Sequence, residues 1–355
     1  MEESTQKTVV VAGASGFVGR AIPDALEDTY RLVGLTRRPW PRRSAPEDGY
    51  EWRHCDLFSR RQTIQALRDA DAAVYLVHSM RPSAALTQGE IRDLDVLCAD
   101  NFARAAEEND VRHIVYVGPY RASRPEVAET LSSRGASVTT LRTGLVIGPG
   151  SAAIELARKL VARSPVIGLP RWTRTRTRPI AREDLAELVR FALDDPRHTG
   201  EAWDVAGPDT VSFADVLRTT AEFTERRRLF VPMPFEFIRL SASSLALFTG
   251  QPISVTRPIV ESFRRDTLPD EMKLQEAAGQ KPAGFRESLR NAIEHTGEST
   301  SRAITESDER GSELVAMDVA NKVRSVQRLP VPEGRTARWV AGEYARWLPS
   351  FLRPM

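Results

Sequence analysis

The residues whose spacing most clearly serves chemistry are three glycines, Gly13, Gly16 and Gly19, in the run VVVAGASGFVG. An apolar stretch precedes them and a segment of helical period follows, so they sit where a strand turns into a helix. Gly13 permits the sharp turn out of the strand. Gly16 lets the backbone approach a phosphate with no Cβ between, and Gly19 allows a helix to pack closely on the sheet. A helix start offers unpaired N–H groups and partial positive charge. Phe17 and Val18 therefore present backbone to an anion, and the Ser15 hydroxyl can add a hydrogen bond. The chemistry this spacing serves is the binding of a dinucleotide's pyrophosphate; a bare structural turn is the competing reading.

The end of the second strand decides which dinucleotide fits. A carboxylate there accepts from a ribose 2′-hydroxyl, whereas an arginine accommodates a 2′-phosphate. Here the strand ends LTRRP, with the forked donors of Arg37 and Arg38 and no Asp or Glu. NADP(H) is thus favoured over NAD(H), the plainer alternative being a solvated basic turn that continues through Arg42 and Arg43. His78 and Ser79 end the fourth strand at the carboxyl edge, where open α/β sheets bind ligands, which puts Val77 and His78 beside the cofactor. His78 could equally be a hydrogen-bonded structural residue. RWTRTRTRP (171–179), read as a strand, places Arg174, Arg176 and Arg178 on one face. Such a face suits an anionic substrate or, more simply, a solvated edge that like charges keep from pairing.

These groups need a scaffold that brings strand ends to one edge. From residue 7 to about 148, β-rich runs alternate with segments of helical period, which predicts a parallel sheet covered on both faces. The runs are 7–13, 31–37, 51–56, 72–79, 113–118 and 137–148, rich in Val, Ile, Leu and Tyr as strands buried on both faces require. A first helix is expected from Phe17, with Val18, Ala21, Ile22, Ala25 and Leu26 inward and Pro23 distorting its early turns. Another, starting near Thr87, aligns Ile91, Leu94, Cys98, Phe102 and Ala105 as one core stripe. Beyond residue 150, helices over 152–162 and 184–193 and a strand around Trp203 complete the sheet and cover its carboxyl edge.

Composition bounds the rest. With 355 residues, 41% hydrophobic and 28% charged, the chain is that of an ordinary globular protein. A net charge of +2 gives no global field for nucleic acid. Cys55 and Cys98 show neither disulfide nor metal-ligand spacing, and no metal site is expected. The N-terminus lacks a signal peptide's basic start and apolar core, and no apolar run reaches the roughly 18 residues of a membrane span, so the cytoplasm is the expected compartment.

With these residues in view, the chain resembles the short-chain dehydrogenase/reductase superfamily, in the extended and atypical NAD(P)-binding branch that includes NmrA-like proteins and epimerases. The resemblance covers about residues 7–265. It is carried by the G-x-x-G-x-x-G spacing and by LRTGLVIGPGS (141–151), PIAREDLAELV (179–189) and WDVAGPDTVSFADVL (203–217). It implies that Asp56 and Leu57 are an adenine-contacting pair. The expected fold class is α/β: a Rossmann-type doubly wound parallel sheet with a small C-terminal substrate-covering region and a partial C-terminal extension. The Rossmann domain is expected over 1–266, with the covering region from about 150, a linker over 267–322 and the extension over 323–355. That last stretch resembles the start of a domain of unknown function that follows in bacterial relatives. Because the chain stops at Met355, a truncated or diverged form of it is expected.

The superfamily's usual Tyr-x-x-x-Lys pair is missing. Gly118 stands where a Ser or Thr is usual, and Tyr120 is followed four residues later by Arg124, whose guanidinium cannot replace a tunable ammonium. Catalytic residues are accordingly left unassigned, and Tyr120 reads as a loop aromatic. The expected function is an NADP-dependent oxidoreductase or epimerase-like enzyme on an unknown small molecule. The alternative is a nonenzymatic NADP(H)-binding redox sensor acting through a protein partner, and a homo-oligomer stays open.

Overall fold

The computed structural model describes residues 6–37, 49–77, 91–120, 125–233, 253–269 and 271–295, with Leu245, Thr249 and Gly250. Two compact units divide the chain, Met1–Gly297 and Glu298–Met355, and the second lies outside the described residues. The expected extension over 323–355 lies outside them as well.

Seven strands form one sheet among the described residues: β1 (Thr8–Ala12), β2 (Arg31–Thr36), β3 (Glu51–His54), β4 (Ala72–Tyr75), β5 (His113–Pro119), β6 (Ser137–Thr143) and β11 (Ala202–Val205). Their order is β11-β6-β5-β4-β1-β2-β3, and every pairing is parallel. Successive strands wind outward in both directions from β1 and β4, so the sheet reverses between them and opens a crevice at their carboxyl ends. All five residues of β1 are buried, as a strand with helices on both sides must be. One face packs α2 (Arg60–Ala66), α3 (Ile91–Glu108) and α4 (Pro125–Ser132), with Cys98, Phe102 and Ala105 of the predicted stripe inside. The opposite face packs α1 (Ile22–Leu26) and α6 (Arg182–Asp194) through Ile22, Leu26, Leu185 and Leu188. A third cluster, between α5 (Ala152–Arg163) and α7 (Phe213–Phe223), forms the core of the covering region.

Four expectations need correction. The run 137–148 is two strands, because the chain breaks at Gly144, where a Cβ would lie 3.0 Å from the Thr177 hydroxyl; β7 (Val146–Ile147) then pairs with β10 (Ile180–Ala181). The arginine run is not one strand. It coils as a 3₁₀ turn over Arg171–Arg174 and extends only at β9 (Arg176–Thr177), yet Arg174 and Arg176 are exposed while Thr173 and Thr177 are buried. The first helix starts later than Phe17, as described below. Finally, the segment from 267 does not run as a linker up to residue 295. Helices Lys273–Ala277 and Phe285–Glu294 dock onto the domain, Leu274 against the α1/α6 face and Phe285, Leu289 and Ala292 in the covering core. The helix start near Thr87 and the end of the fourth run at 78–79 fall outside the described residues.

The docking of Phe285–Glu294 is directly testable. Leu289 is fully buried, so Leu289→Ala should lower the unfolding free energy by about 2–5 kcal/mol in urea titrations. A residue in a solvated linker would leave it unchanged.

Candidate functional site

The site begins where β1 ends. Gly13 has φ +90°, a left-handed conformation that only glycine adopts without strain, and a Cβ there would come 3.1 Å from Leu76 on the neighbouring strand end. The Gly16 N–H donates to the Gly13 carbonyl at 2.8 Å and closes the turn. A Cβ on Gly16 would lie 2.9 Å from that same oxygen, and one on Gly19 would lie 2.3 Å from it and 2.5 Å from the Ala14 carbonyl. The Tyr50 hydroxyl, buried, donates to the Gly19 carbonyl at 2.7 Å and holds the turn from the β3 side.

Helical geometry starts as a 3₁₀ turn, Gly19–Ala21, and becomes α1 at Ile22 with Pro23 in its first turn, where a missing N–H costs nothing. The N–H groups of Ser15, Phe17 and Val18 therefore lie in the turn rather than in a helix, and none has an acceptor among the described residues. A tight turn whose N–H donors have no acceptor among the described residues fits an oxyanion.

At the ends of β2 and β3, Arg37 is exposed and its carbonyl lies 3.2 Å from Nε2 of His54. Asp56 caps its own turn. Its carboxylate accepts the Phe58 N–H at 3.2 Å, its N–H donates to Gln62 at 2.9 Å, and Asn101 of α3 donates to the Leu57 carbonyl at 2.9 Å. The Leu57 N–H is unpartnered among the described residues. The Cys98 thiol is pushed up to about 12 by burial and then by the Asp56 charge, while Arg37 pulls the other way. Burial likewise raises Cys55, to about 11, and neither thiol is primed as a nucleophile. Val77 follows the end of β4, half-buried against the α2/α3 face. Thus Gly13, Ser15, Gly16, Phe17, Val18, Gly19, Arg37, Asp56, Leu57 and Val77 all stand at the carboxyl edge of adjacent strands. Arg38 and His78 lie outside the described residues.

The end of β5 departs from a tyrosine-based site in two ways. A Cβ on Gly118 would meet the Tyr116 ring at 2.8–3.0 Å, so a serine does not fit without moving that ring. The Tyr120 side chain is buried, its hydroxyl donates to the Leu268 carbonyl, and its N–H donates to the Thr143 carbonyl at 2.7 Å. Leu268 belongs to a segment laced to the arginine run: the Thr267 N–H donates to the Arg176 carbonyl, and Asp266 pairs with Arg176 at 3.2 Å. Beside it lies a cleft of about 350 Å³ lined by Arg178, Pro269, Glu271, Met272, Lys273 and Glu276.

Two arginines beside the turn escape a reading of local motifs. Arg20 donates to the Ser15 carbonyl at 3.3 Å, and Arg182 of α6 stands 5.7 Å from the Phe17 ring centroid. The available signal is Arg182 itself, a cation at the start of a helix whose next two residues are acidic.

Fold and turn together define a Rossmann-type architecture, a doubly wound parallel sheet with a glycine-rich turn after its first strand. Residues 9–120 match the model of the NAD dependent epimerase/dehydratase family. The auxiliary protein GraX of Staphylococcus aureus is 31% identical over 148 residues, 42% of this chain and 47% of that protein. The chain thus spans about half the length of that relative. The (4-alkanoyl-5-oxo-2,5-dihydrofuran-3-yl)methyl phosphate reductase of Streptomyces griseus is 26% identical over 301 residues, 79% of this chain and 95% of the reductase. Among solved structures, the triphenylmethane reductase of Citrobacter sp. complexed with NADP(H) superposes with a TM-score of 0.64 at 15% identity, over 80% of this chain and 99% of that one. No helix among the described residues is long and apolar enough to cross a membrane.

The crowding at Gly19 predicts a stability effect. Backbone carbonyls, which cannot swing aside, occupy the space, so Gly19→Ala should cost about 1–3 kcal/mol or more. It should lower the melting temperature of the ligand-free protein; an unchanged midpoint would contradict the packing.

Proposed function

We propose that the chain is an NADP(H)-dependent oxidoreductase acting on a small molecule in the cytoplasm. The observation that carries the reading is the glycine cradle with its unpaired N–H groups, in line with Arg37 and the Asp56–Leu57 turn along one sheet edge. In this reading the cradle binds the pyrophosphate. Asp56 and the Leu57 N–H offer an acceptor and a donor to the adenine, and Arg37, with Arg38 next in sequence, faces the 2′-phosphate. Val77 closes the crevice towards the nicotinamide, with His78 next in sequence. When bound, the cofactor supplies hydride chemistry. The reductase from Streptomyces griseus, aligned over most of its length, supports a reductase over an epimerase, and nothing specific favours the sensor alternative.

The chain's own residues bind and orient rather than exchange the proton. The Tyr120 hydroxyl is committed to a backbone carbonyl, and Arg124 stays charged at every relevant pH. Protons then come from water or from the substrate. The titration that tests cofactor choice compares NADPH with NADH. The intact protein should prefer NADPH, and Arg37→Asp should weaken NADPH binding about tenfold or more, the value of a charge-assisted hydrogen bond. Equal binding of the two nucleotides, or an indifferent mutant, would remove Arg37 from the site. Turnover in a panel of carbonyl, quinone and dye substrates tests the activity. In that panel Tyr120→Phe should cost less than about tenfold in kcat, whereas loss of a general acid costs about a hundredfold or more.

A further inference from the structure

Two arginines flank the glycine turn in places that electrostatics opposes. Arg182 is the first residue of α6, a 13-residue helix whose N-cap, Ala181, has no capping side chain. The positive end of the helix dipole disfavours a cation there. The guanidinium is nevertheless held in place. Nη1 donates to the Pro149 carbonyl at 3.2 Å, Nη2 to Glu183 at 2.8 Å, and the group stands over the Phe17 ring in cation–π contact. Arg20, next to Gly19 and exposed, is held below the usual arginine value by partial desolvation of its guanidinium and by the charge of Arg182. Arg20 has only the Ser15 carbonyl as a partner and no carboxylate among the described residues.

A like-charged pair, one member at the wrong end of a helix, lowers stability. Conflicts of this kind between local preference and fold concentrate at functional sites. An anion on the free N–H groups of Phe17 and Val18 would relieve both conflicts at once. Glu183, the carboxylate partner of Arg182, is 43% exposed and so competes weakly for the guanidinium.

Resting on the cofactor reading above, we propose that Arg182 and Arg20 clamp the pyrophosphate bridge of the dinucleotide from the side away from the turn. Arg182 thereby ties the covering half of the chain to the bound cofactor. The pair, not the turn alone, sets affinity for the doubly charged bridge.

The test uses the full chain with three probes: NADPH, ADP-ribose and adenosine 2′-monophosphate, which has no pyrophosphate. Arg182→Gln should weaken NADPH and ADP-ribose about tenfold or more and leave adenosine 2′-monophosphate unchanged. Arg20→Gln should do the same independently of how Arg182→Gln folds, and the double variant should lose less than the product of the two single losses. Unchanged NADPH affinity in both single variants overturns the clamp while leaving the cofactor reading intact. Equal loss of all three probes, with a lowered melting temperature, also overturns it, since the arginines would then be structural. If the unaltered protein binds none of the probes, the cofactor reading fails and the clamp fails with it.

Discussion

The approach of Gly19 to the carbonyls of Gly13 and Ala14 is the constraint on which the carboxyl edge depends. At 2.3–2.5 Å from a would-be Cβ, no side chain can stand there, so the chain winds tightly and opens as a 3₁₀ turn. That winding delays the α-helix to Ile22, puts Pro23 where it does no harm, and leaves the donors of Phe17 and Val18 outside any helical ladder. The Tyr50 hydroxyl then fixes the Gly19 carbonyl, linking the turn to the strand that carries Asp56. The shape of the turn, the late helix start and the tie to the Asp56 turn are consequences of one close contact.

Much of this was legible in the sequence because the signals are local. β1 is buried along its whole length, so its composition alone reads as a central strand, and a glycine every third residue has few uses other than a tight turn. What was illegible depends on partners distant in the chain. Nothing in TGLVIG announces that Thr177 will press against Gly144. The arginine run alternates like a strand, yet the buried Trp172, packed on Phe213 and Phe263, pulls its first half into a turn. The helix Phe285–Glu294 hides in a polar stretch because only Phe285, Ser288, Leu289 and Ala292 face inward. That the glycines, Arg37 and the Asp56 turn share the carboxyl edge follows from their places at the ends of local strand runs. The place of Arg182 does not follow in this way, since its relation to Phe17 exists only in three dimensions.

The reaction end shows substitution of one structural solution by another. Where a serine and a free tyrosine hydroxyl would stand, the Tyr116 ring fills the space over Gly118 and the Leu268 carbonyl takes up the Tyr120 proton donor. Both changes turn potential proton carriers into packing and anchoring groups. The segment from Asp266 to Pro269 thus walls Tyr120 and is joined to the arginine run by backbone and ion-pair contacts. Selectivity for the substrate, in the function proposed, belongs to that wall and to the cleft beside it.

The docking of residues 273–294 bears on the order in which the protein can be made. Leu274 completes the face built by α1 and α6, and Leu289 completes the covering core. Both apolar surfaces are therefore unfinished until nearly three hundred residues have left the ribosome. A parallel sheet that must wait for its final helices exposes apolar surface for longer than one closed strand by strand. Between synthesis of Val205 and of Ala292 the nascent chain is at its most vulnerable to aggregation, and this interval is where a chaperone would have most to protect.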